Sequence, residues 1–441
     1  RKRNDRKALQ AFCFRHQFNQ NIIGQAARLA RMKAYSKNNK YGKVTFYLNK
    51  RNIAVFFILL FNSQLFYGSA GNPFGVKGLQ ELFSLFLILW VILSIAIQQV
   101  SNGRVRKLDV YVLLLVILPS IYGSLIAQLS YGQPIIFGLI EERRILAVLV
   151  YFPIRDMLEH NWINIINFEK YIAICATICA SLSVGTFLDI VPTFQEIIIS
   201  EIALRQMRIA VGPAWIALSI PFILTSKSQF ISKLRIPLLI LTIGTMIVII
   251  QSRQLIIITV ITSLFVLRGQ NAIFFVIVVI LTLFVAFYTI PSINSRILVI
   301  LQMLEQLASS SYSEKDWRIQ SYQHVFRFWS EQKFGHGSLS LLWQNGFKRV
   351  IGDFFFLADI GISGTLFRYG IPGLVLYLFW GINQFNLLRA IKNPHNRTLM
   401  GALFLYLIIG MPVGAPLEYR GYISGMLLGV TGYLANFDKK V

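Results

Sequence analysis

Long runs of apolar residues, separated by short polar segments, fill most of this chain. A helix that crosses the hydrocarbon core of a bilayer needs about 20 mostly apolar residues, and twelve runs approach that length. The runs span roughly residues 53–68, 79–99, 109–128, 145–160, 170–190, 209–226, 235–250, 254–268, 271–290, 360–383, 398–415 and 421–436. The pattern predicts an all-α polytopic membrane protein with about twelve transmembrane helices, of which the fourth and eighth are short enough to be tilted or shielded.

Basic residues in the short connections predict the orientation of these helices. Cytoplasmic connections carry an excess of Lys and Arg, and every connection on one side is basic if the N-terminus lies inside. Those connections contain Arg104, Arg106 and Lys107; Arg155 and Lys170; Lys227, Lys233 and Arg235; Arg268; and Arg389, Lys392 and Arg397. We therefore expect both termini in the cytoplasm, with residues 437–441 as a cytoplasmic tail.

One predicted connection is much longer than the others. Residues 53–290 contain the first nine predicted helices and residues 360–436 contain the last three. Between them, residues 291–359 far exceed the usual connection of about 4 to 6 residues. Loops of this size are usually functional, so we expect a large, partly helical periplasmic loop.

A strongly basic segment precedes the first predicted helix. The 441-residue chain has a net charge of +24, and residues 1–51 hold fourteen Lys/Arg against one acid, so 14 − 1 = 13 charges lie there. Such a segment also occurs in nucleic-acid-binding proteins, but beside a first span it favours an anchor on anionic lipid. We expect residues 1–52 to be cytoplasmic or interfacial, with membrane lipids and no nucleic acid as partners.

Composition excludes several classes of function. Hydrophobic residues make up 55% of the chain and charged residues only 14%, whereas soluble domains average about 25% charged residues. Three cysteines are too few for a disulfide framework, and no zinc, iron–sulfur, P-loop or GxGxxG spacing occurs. The sequence therefore predicts no metal site and no cofactor.

Several basic residues lie on the predicted extracytoplasmic side, against the usual bias. Headgroup contacts or local ion pairs would explain any one of them, but Arg208, Arg253 and Arg318 come from three separate segments. Arginine makes forked contacts with phosphate. A convergence of these three side chains would therefore suit a lipid substrate that bears a diphosphate. The full set is Arg143, Arg144, Arg205, Arg208, Arg253, Arg318, Arg327, Lys333, Lys348, Arg349 and Arg420.

Acidic residues accompany two of these outer basic groups. Glu141 and Glu142 precede Arg143 and Arg144, before the fourth predicted helix, and Glu418 precedes Arg420. We expect the glutamate pair to form ion pairs with the adjacent arginines, and sugar binding is the alternative.

A set of motifs follows in order through the second half of the chain. They are Arg205-Gln-Met-Arg208-Ile-Ala-Val-Gly212-Pro213; Gln251-Ser252-Arg253; Arg318-Ile-Gln-Ser-Tyr-Gln-His324 with Phe334-Gly335-His336-Gly337; and Gly352-Asp353-Phe354-Phe355-Phe356-Leu357 with Gly361, Gly364, Tyr369-Gly370 and Gly373. Their order and spacing over about residues 200–380 resemble the bacterial O-antigen polymerase and O-antigen ligase superfamily. The residues before them match that superfamily only as membrane spans.

The resemblance implies a fold and an activity. Members of the superfamily have a GT-C-like membrane fold and act on undecaprenyl-diphosphate-linked glycans at the periplasmic face of the bacterial inner membrane. Polymerases join oligosaccharide repeat units into O-antigen or a related surface polysaccharide, and ligases transfer finished glycans to lipid A–core. The reaction is inverting and needs no metal ion, and a chain-length regulator protein stays open as a further partner.

This sequence departs from the superfamily motifs at two places, and the choice between polymerase and ligase therefore stays open. Ligases typically carry a histidine where the large loop re-enters the membrane, and this chain has Asp353 there. The Arg-x10-Gly motif of some polymerases is absent at the outer arginines. We expect a polymerase, with an O-antigen ligase as the alternative.

Glycosyl transfer from a lipid diphosphate needs a group that accepts the proton of the attacking hydroxyl. Asp353 is the first candidate for this base and His336 the second. Asp353 could instead cap the N-terminus of a helix, and His336 could be an ordinary turn residue. The departing diphosphate needs cations. Arg208, Arg253, Arg318 and, in second rank, Arg205 are the candidates, with helix capping, headgroup contacts or ion pairs as alternatives.

The large loop also contains an aromatic pattern. Tyr322, Phe326 and Trp329 recur at i, i+4 and i+7, the spacing of one helix face. We expect this face to pack on the membrane domain, and stacking against sugar rings is the alternative.

A flippase or other transporter of lipid-linked glycans is the alternative from a different class. Transporters are typically built from internal repeats and carry charged residues deep in their spans. This chain has no convincing repeat, and its unexplained charges lie at predicted helix ends on one side. The sequence therefore favours an enzyme.

Overall fold

The computed structural model describes residues 50–68, 71–76, 78–195, 209–267, 317–351 and 357–440, together with residues 275, 277 and 280. Nearly all of the basic segment predicted for residues 1–52 lies outside this part of the chain. So do most of the ninth predicted span and the first part of the predicted loop at 291–359.

The described part of the chain is helical and contains no strand. Its α-helices are α1 (Lys50–Asn62), α2 (Leu79–Asn102), α3 (Lys107–Tyr131), α4 (Ile135–Glu141), α5 (Tyr151–Glu159), α6 (Ile165–Phe187), α7 (Pro213–Thr225), α8 (Gln229–Gly244), α9 (Arg253–Val266), α10 (Trp317–Glu331), α11 (Phe347–Ile351), α12 (Ile362–Ala390), α13 (Pro394–Ile409) and α14 (Gly421–Lys440). Shorter 3₁₀ segments cover Glu142–Val150 and Leu357–Ile360, and a π-helical segment, Thr245–Ile250, extends α8.

Five of the described helices are long and apolar enough to cross a membrane: α2, α3, α6, α8 with its π-helical extension, and α12. Two of them also present apolar side chains to their surroundings. Leu82, Leu89 and Leu93 on α2 and Leu118 on α3 are more than half exposed. Soluble proteins rarely expose so continuous an apolar surface, so the chain is a helical, membrane-embedded protein. The predicted total of twelve spans stays a prediction.

The fourth predicted span is longer and less regular than the sequence indicated. Helix α4, the 3₁₀ segment Glu142–Val150 and α5 follow one another without a break. A Cβ on Gly138 would lie 2.7 Å from the Ser124 hydroxyl, so α4 turns back along α3 directly after the connection at 132–134. Glu141 and Glu142 therefore lie within a helical run, not in a loop before it. The sequence missed this because charged residues interrupt the apolar pattern there.

Helix α14 forms the centre of the bundle and is buried over most of its length. It packs along the 3₁₀ segment and α5. Gly421, Gly425 and Gly429 face this partner, and a Cβ on Gly425 would lie only 2.2 Å from the Val148 carbonyl oxygen. Small residues at four-residue spacing let two helices approach closely, which explains how the irregular fourth span fits against α14.

Arg155 does not lie in a basic connection as predicted. It belongs to α5, is 2% exposed, and forms buried ion pairs with Asp109 and Asp156. Its guanidinium also donates a hydrogen bond of 2.7 Å to the Ser94 hydroxyl. A buried arginine with two carboxylate partners joins α2, α3 and α5. Lys170, predicted in the same connection, lies in α6.

Side-chain contacts group the helix connections into two ends of the bundle. At one end, Gln332 contacts Ser130 and Tyr322 contacts Pro412. At the other end, Arg106 pairs with Glu159. We call the first end the loop face, formed by residues 63–68, 131–134, 332–346 and 410–420, and the second end the opposite face, formed by residues 103–106, 160–164, 226–228 and 391–393.

Candidate active site at the loop face

Helix α12 contains a break that creates a docking point for the large loop. Gly370 has φ +59° and ψ −144°, which is not helical. Pro372 has no N–H, so the carbonyl of Arg368 has no helical partner four residues later. The carbonyl of Phe367 also loses its helical partner, because the N–H of Ile371 points to the Lys333 carbonyl at 3.0 Å. The break therefore leaves two backbone acceptors within the bundle.

The segment 333–340 fills this break as an extended strap. The backbone N–H of His336 donates to the Phe367 carbonyl at 2.8 Å, and that of Gly337 donates to the Arg368 carbonyl at 2.8 Å. On the other side of the strap, the N–H of Ser338 donates to the Gly123 carbonyl of α3 at 2.9 Å. The strap thus satisfies the acceptors that the break exposes, and it joins α3 to α12.

Two glycines allow the strap to approach the helix backbones this closely. Gly335 and Gly337 have φ values of +87° and +76°, where side chains are strained. A Cβ on Gly337 would lie 2.2 Å from the backbone nitrogen of Ala127, and one on Gly335 would lie 2.5 Å from the Arg368 carbonyl oxygen. The Gly-His-Gly sequence therefore shapes a backbone contact between the loop and the membrane bundle.

His336, the second candidate base, is buried in this contact and is 3% exposed. Its Nε2 lies 3.0 Å from the Phe328 carbonyl oxygen, and its Nδ1 contacts the Tyr131 hydroxyl. Because a carbonyl only accepts, we assign the proton to Nε2, and Nδ1 then accepts from Tyr131. The ring stacks on Phe367 with centroids 4.8 Å apart. Burial lowers the pKa of His336 below its usual value, which favours this neutral form.

The strap also places a hydroxyl on a buried carboxylate. Glu142 is 1% exposed and accepts hydrogen bonds from Ser338 and Tyr369. Arg368 Nη1 lies 3.3 Å from Glu142 Oε1. Glu142 was predicted to pair with the arginines next to it in sequence. It pairs instead with an arginine from α12, because the helical run points it into the bundle.

Arg368 is the cation at the centre of this cluster and is 6% exposed. Its Nη2 lies 3.4 Å from Glu141 Oε1 and donates to the Tyr419 hydroxyl at 3.1 Å. Arg368 was not among the site residues predicted from the sequence. The available signal was a single arginine in an otherwise apolar stretch beside Tyr369 and Gly370, because an intramembrane charge is by default a candidate functional residue.

A third carboxylate, Glu418, lies in the connection between α13 and α14. It is 4% exposed and accepts hydrogen bonds of 3.0 Å from the Thr365 hydroxyl and 3.1 Å from the Tyr377 hydroxyl. Burial raises its pKa to about 7. This carboxyl can therefore gain or lose a proton near neutral pH.

A narrow groove opens beside the cluster, between α1, α2 and the 3₁₀ segment. It has a free volume of about 50 Å³, so a large ligand would occupy its mouth. Arg144 is exposed there, and its guanidinium carbon lies 5.4 Å from the ring centre of Tyr419. Amides, hydroxyls, aromatic rings and two aliphatic side chains line the rest of the groove: Phe61, Asn62, Gln64, Phe66, Tyr67, Leu79, Gln80, Phe83, Ser84, Ala147 and Tyr422.

The structure describes only some of the residues predicted for the site. Asp353, Arg205 and Arg208 lie outside the described residues. Arg253 is the first residue of α9 and Arg318 the second residue of α10, but their side chains are also outside the described part of the molecule. The predicted convergence of Arg208, Arg253 and Arg318 therefore stays a prediction.

The aromatic helix of the large loop packs on the bundle through Tyr322, as predicted, but not through Phe326. Val325 of α10 is fully buried, whereas Phe326 is 54% exposed. Tyr322 and Phe328 pack against the same cluster as Val325. The predicted face was based on the aromatic residues Tyr322, Phe326 and Trp329. It left out Val325, a smaller residue that packs into the bundle.

Comparisons with protein-family models and with curated proteins found no match to this chain.

Proposed function

We propose that this chain is a glycosyltransferase that polymerises undecaprenyl-diphosphate-linked oligosaccharides at the periplasmic face of the bacterial inner membrane. The observation that carries the proposal is the groove at the loop face, where exposed Arg144 lies beside the Glu142–Arg368 cluster. A lipid diphosphate needs a cation at the membrane surface, and sugar rings need amides, hydroxyls and aromatic faces. The groove offers all of these groups on one surface.

In the proposed reaction, an acceptor hydroxyl attacks the anomeric carbon of the donor sugar. The bond between that carbon and the diphosphate oxygen breaks, and the electron pair leaves with the diphosphate. Cations that contact the departing oxygens lower the barrier because negative charge develops there. We propose Arg144 for this role, together with the predicted ligands Arg208, Arg253 and Arg318.

The hydroxyl proton passes to a base, for which Asp353 stays the first candidate. His336 is disfavoured because both ring nitrogens already have protein partners, and a base needs a free lone pair. Its contacts support a different role, in which it holds the strap against α10 and α12. Arg368 and Glu142 lie in the buried cluster next to the groove and would hold its lining residues in place.

A transporter of lipid-linked glycans is the second candidate, and one observation favours it. Glu142, Arg368, Asp109 and Arg155 are buried charges inside the helical bundle, and such charges are common on transport pathways. In this chain they form compact ion pairs. Paired charges also serve as structural links, which keeps the enzyme as the first proposal.

The direct test is a reaction of the purified protein in liposomes with a short lipid-diphosphate oligosaccharide. Mass spectrometry of the products would show chain growth for a polymerase. Transfer only after addition of lipid A–core would identify a ligase. Movement of the substrate across the bilayer without any new glycosidic bond would contradict the enzyme proposal and support the transporter.

A further inference from the structure

A larger concavity lies at the opposite face of the bundle. It has a volume of about 430 Å³ and is formed where α7 and α9 end and where α8 and α13 begin. A second depression shares Thr225 and His395 with it and adds Thr398. The residues that line the larger concavity are Leu224, Thr225, Ser226, Lys227, Arg235, Val266, Leu267 and His395.

The charge of this concavity is positive. Lys227, Arg235 and His395 line it, and none of the described residues that line it is acidic. The nearest carboxylate to this imidazole belongs to Glu169, whose Oε1 lies 3.3 Å from His395 Nε2. Within the described part of the chain, neither Lys227 nor Arg235 has a carboxylate at ion-pair distance. Two positive charges therefore face one cavity without a counter-charge from those residues.

One hydrogen-bond donor of Arg235 has a partner in the protein, but another does not. Its Nη2 donates to the Ser226 carbonyl at 3.1 Å, which caps the last turn of α7 and offsets the negative end of that helix. Its Nε is buried and has no hydrogen-bond partner among the described residues. A buried donor without a hydrogen-bond partner costs free energy.

We propose that this concavity binds a phosphate group, from an anionic phospholipid headgroup or from free phosphate. Lys227 and Arg235 supply the charge. The Thr225 hydroxyl already donates to the Pro221 carbonyl at 2.8 Å, and the Thr398 hydroxyl of the adjoining depression is a neutral donor. The apolar side chains of Leu224, Val266 and Leu267 line the same cavity. Because these groups come from several segments and face one cavity, we expect one bound ligand per chain, unlike on a diffuse basic surface.

The test counts phosphatidylglycerol bound to the purified full-length protein by native mass spectrometry. Lys227→Gln and Arg235→Gln would each lower the apparent affinity for the first bound lipid about fivefold, since each surface cation contributes about that factor. Lys233→Gln is the matched control, because Lys233 is an exposed cation of α8 that does not line the cavity. Phosphatidylcholine at the same concentration should bind without dependence on either residue.

Thermal stability in sodium phosphate and in sodium chloride of equal ionic strength distinguishes the source of the phosphate. Stabilisation by phosphate salt that Lys227→Gln abolishes supports a free phosphate ligand. Stabilisation only by phosphatidylglycerol, lost in the same variant, supports a lipid headgroup. Two results would overturn the proposal. One is an equal effect of Lys227→Gln and Lys233→Gln on binding. The other is equal binding of phosphatidylglycerol and phosphatidylcholine with no stabilisation by phosphate salt.

Discussion

The buried carboxylates at the loop face differ in how their charge is balanced. Glu142 has an arginine and two hydroxyl donors, whereas Glu418 has only hydroxyl donors at hydrogen-bond distance. A buried carboxylate without a close cation favours its protonated form. We therefore expect Glu418 to respond to pH.

The stability of the folded protein should depend on pH through Glu418. Burial raises its pKa from 4.5 to about 7, so the folded state holds this proton more tightly than the unfolded state does. The stabilisation is complete below about pH 4.5 and is lost as the pH rises to about 7. A shift of this size corresponds to about 3 kcal/mol.

Unfolding in detergent, followed at pH 5 and pH 8, measures this effect. Glu418→Gln should remove most of the difference between the two pH values because the amide does not titrate. Glu331→Gln, at an exposed glutamate of α10, should leave the difference as in the unmodified protein. A pH dependence that survives Glu418→Gln would show that another group causes it.

The Arg368–Glu142 pair should be strongly coupled in stability. Arg368→Gln removes the cation beside a buried carboxylate, and breaking a buried pair in this way costs about 3–5 kcal/mol. Glu142→Gln in the same chain should recover part of the loss because the unpaired charge is removed as well. Equilibrium unfolding of both single variants and the double variant gives the coupling energy, and additive effects would contradict a direct interaction.

At the scale of elements, the apolar pattern located most helices, but the residue-level contacts could not be predicted. Helices α2, α3, α6 and α12 match predicted spans because lipid requires long apolar runs. The 3₁₀ segment after α4 was missed because Glu142 and Arg368 satisfy each other across 226 positions, and a pattern of neighbouring residues carries no such information. The docked strap was missed for the same reason.

Docking of the strap should depend on the absence of a side chain at Gly337. Gly132 is the matched control, because its φ of +74° is close to the +76° of Gly337, but a Cβ there would meet nothing within 4 Å. Gly132→Ala should cost only the backbone strain of about 1–2 kcal/mol. Gly337→Ala should add a collision with Ala127 and release the strap.

Limited proteolysis of the segment 341–346, together with unfolding in detergent, tests this difference. We expect faster cleavage for Gly337→Ala than for Gly132→Ala at the same temperature. Equal cleavage rates and equal losses of stability would mean that the strap adapts to a methyl group.

At the scale of the whole molecule, the proposed function depends on which side of the membrane each face lies. The basic connections predict a cytoplasmic opposite face and therefore a periplasmic loop face. The structure adds that the loop face holds the Arg144 groove and the strap, and that the opposite face holds the basic concavity. Catalysis and phosphate binding are thus proposed for different sides of one bundle.

Cysteine labelling of intact cells tests this orientation. Gln344→Cys lies in an exposed part of the loop face, and Gln229→Cys lies at the exposed start of α8. A maleimide that cannot cross the inner membrane should label the first variant directly and the second only after that membrane is disrupted. The native Cys175 and Cys179 are buried and should contribute no signal, and the third native cysteine, Cys13, is replaced by serine in both variants. The reverse labelling pattern would place the groove in the cytoplasm.

We propose that the loop-face groove transfers glycans from a lipid diphosphate, and two adjacent arginines test this function. Arg144 lines the groove, whereas Arg143 is an exposed neighbour whose Nε lies 3.9 Å from Glu81. The measurement is the initial rate of glycosidic bond formation by purified Arg144→Gln and Arg143→Gln variants in liposomes. We predict a fall of about a hundredfold or more for Arg144→Gln, as for the loss of one charge-stabilising donor, and little change for Arg143→Gln. Equal rates for the two variants would contradict the claim.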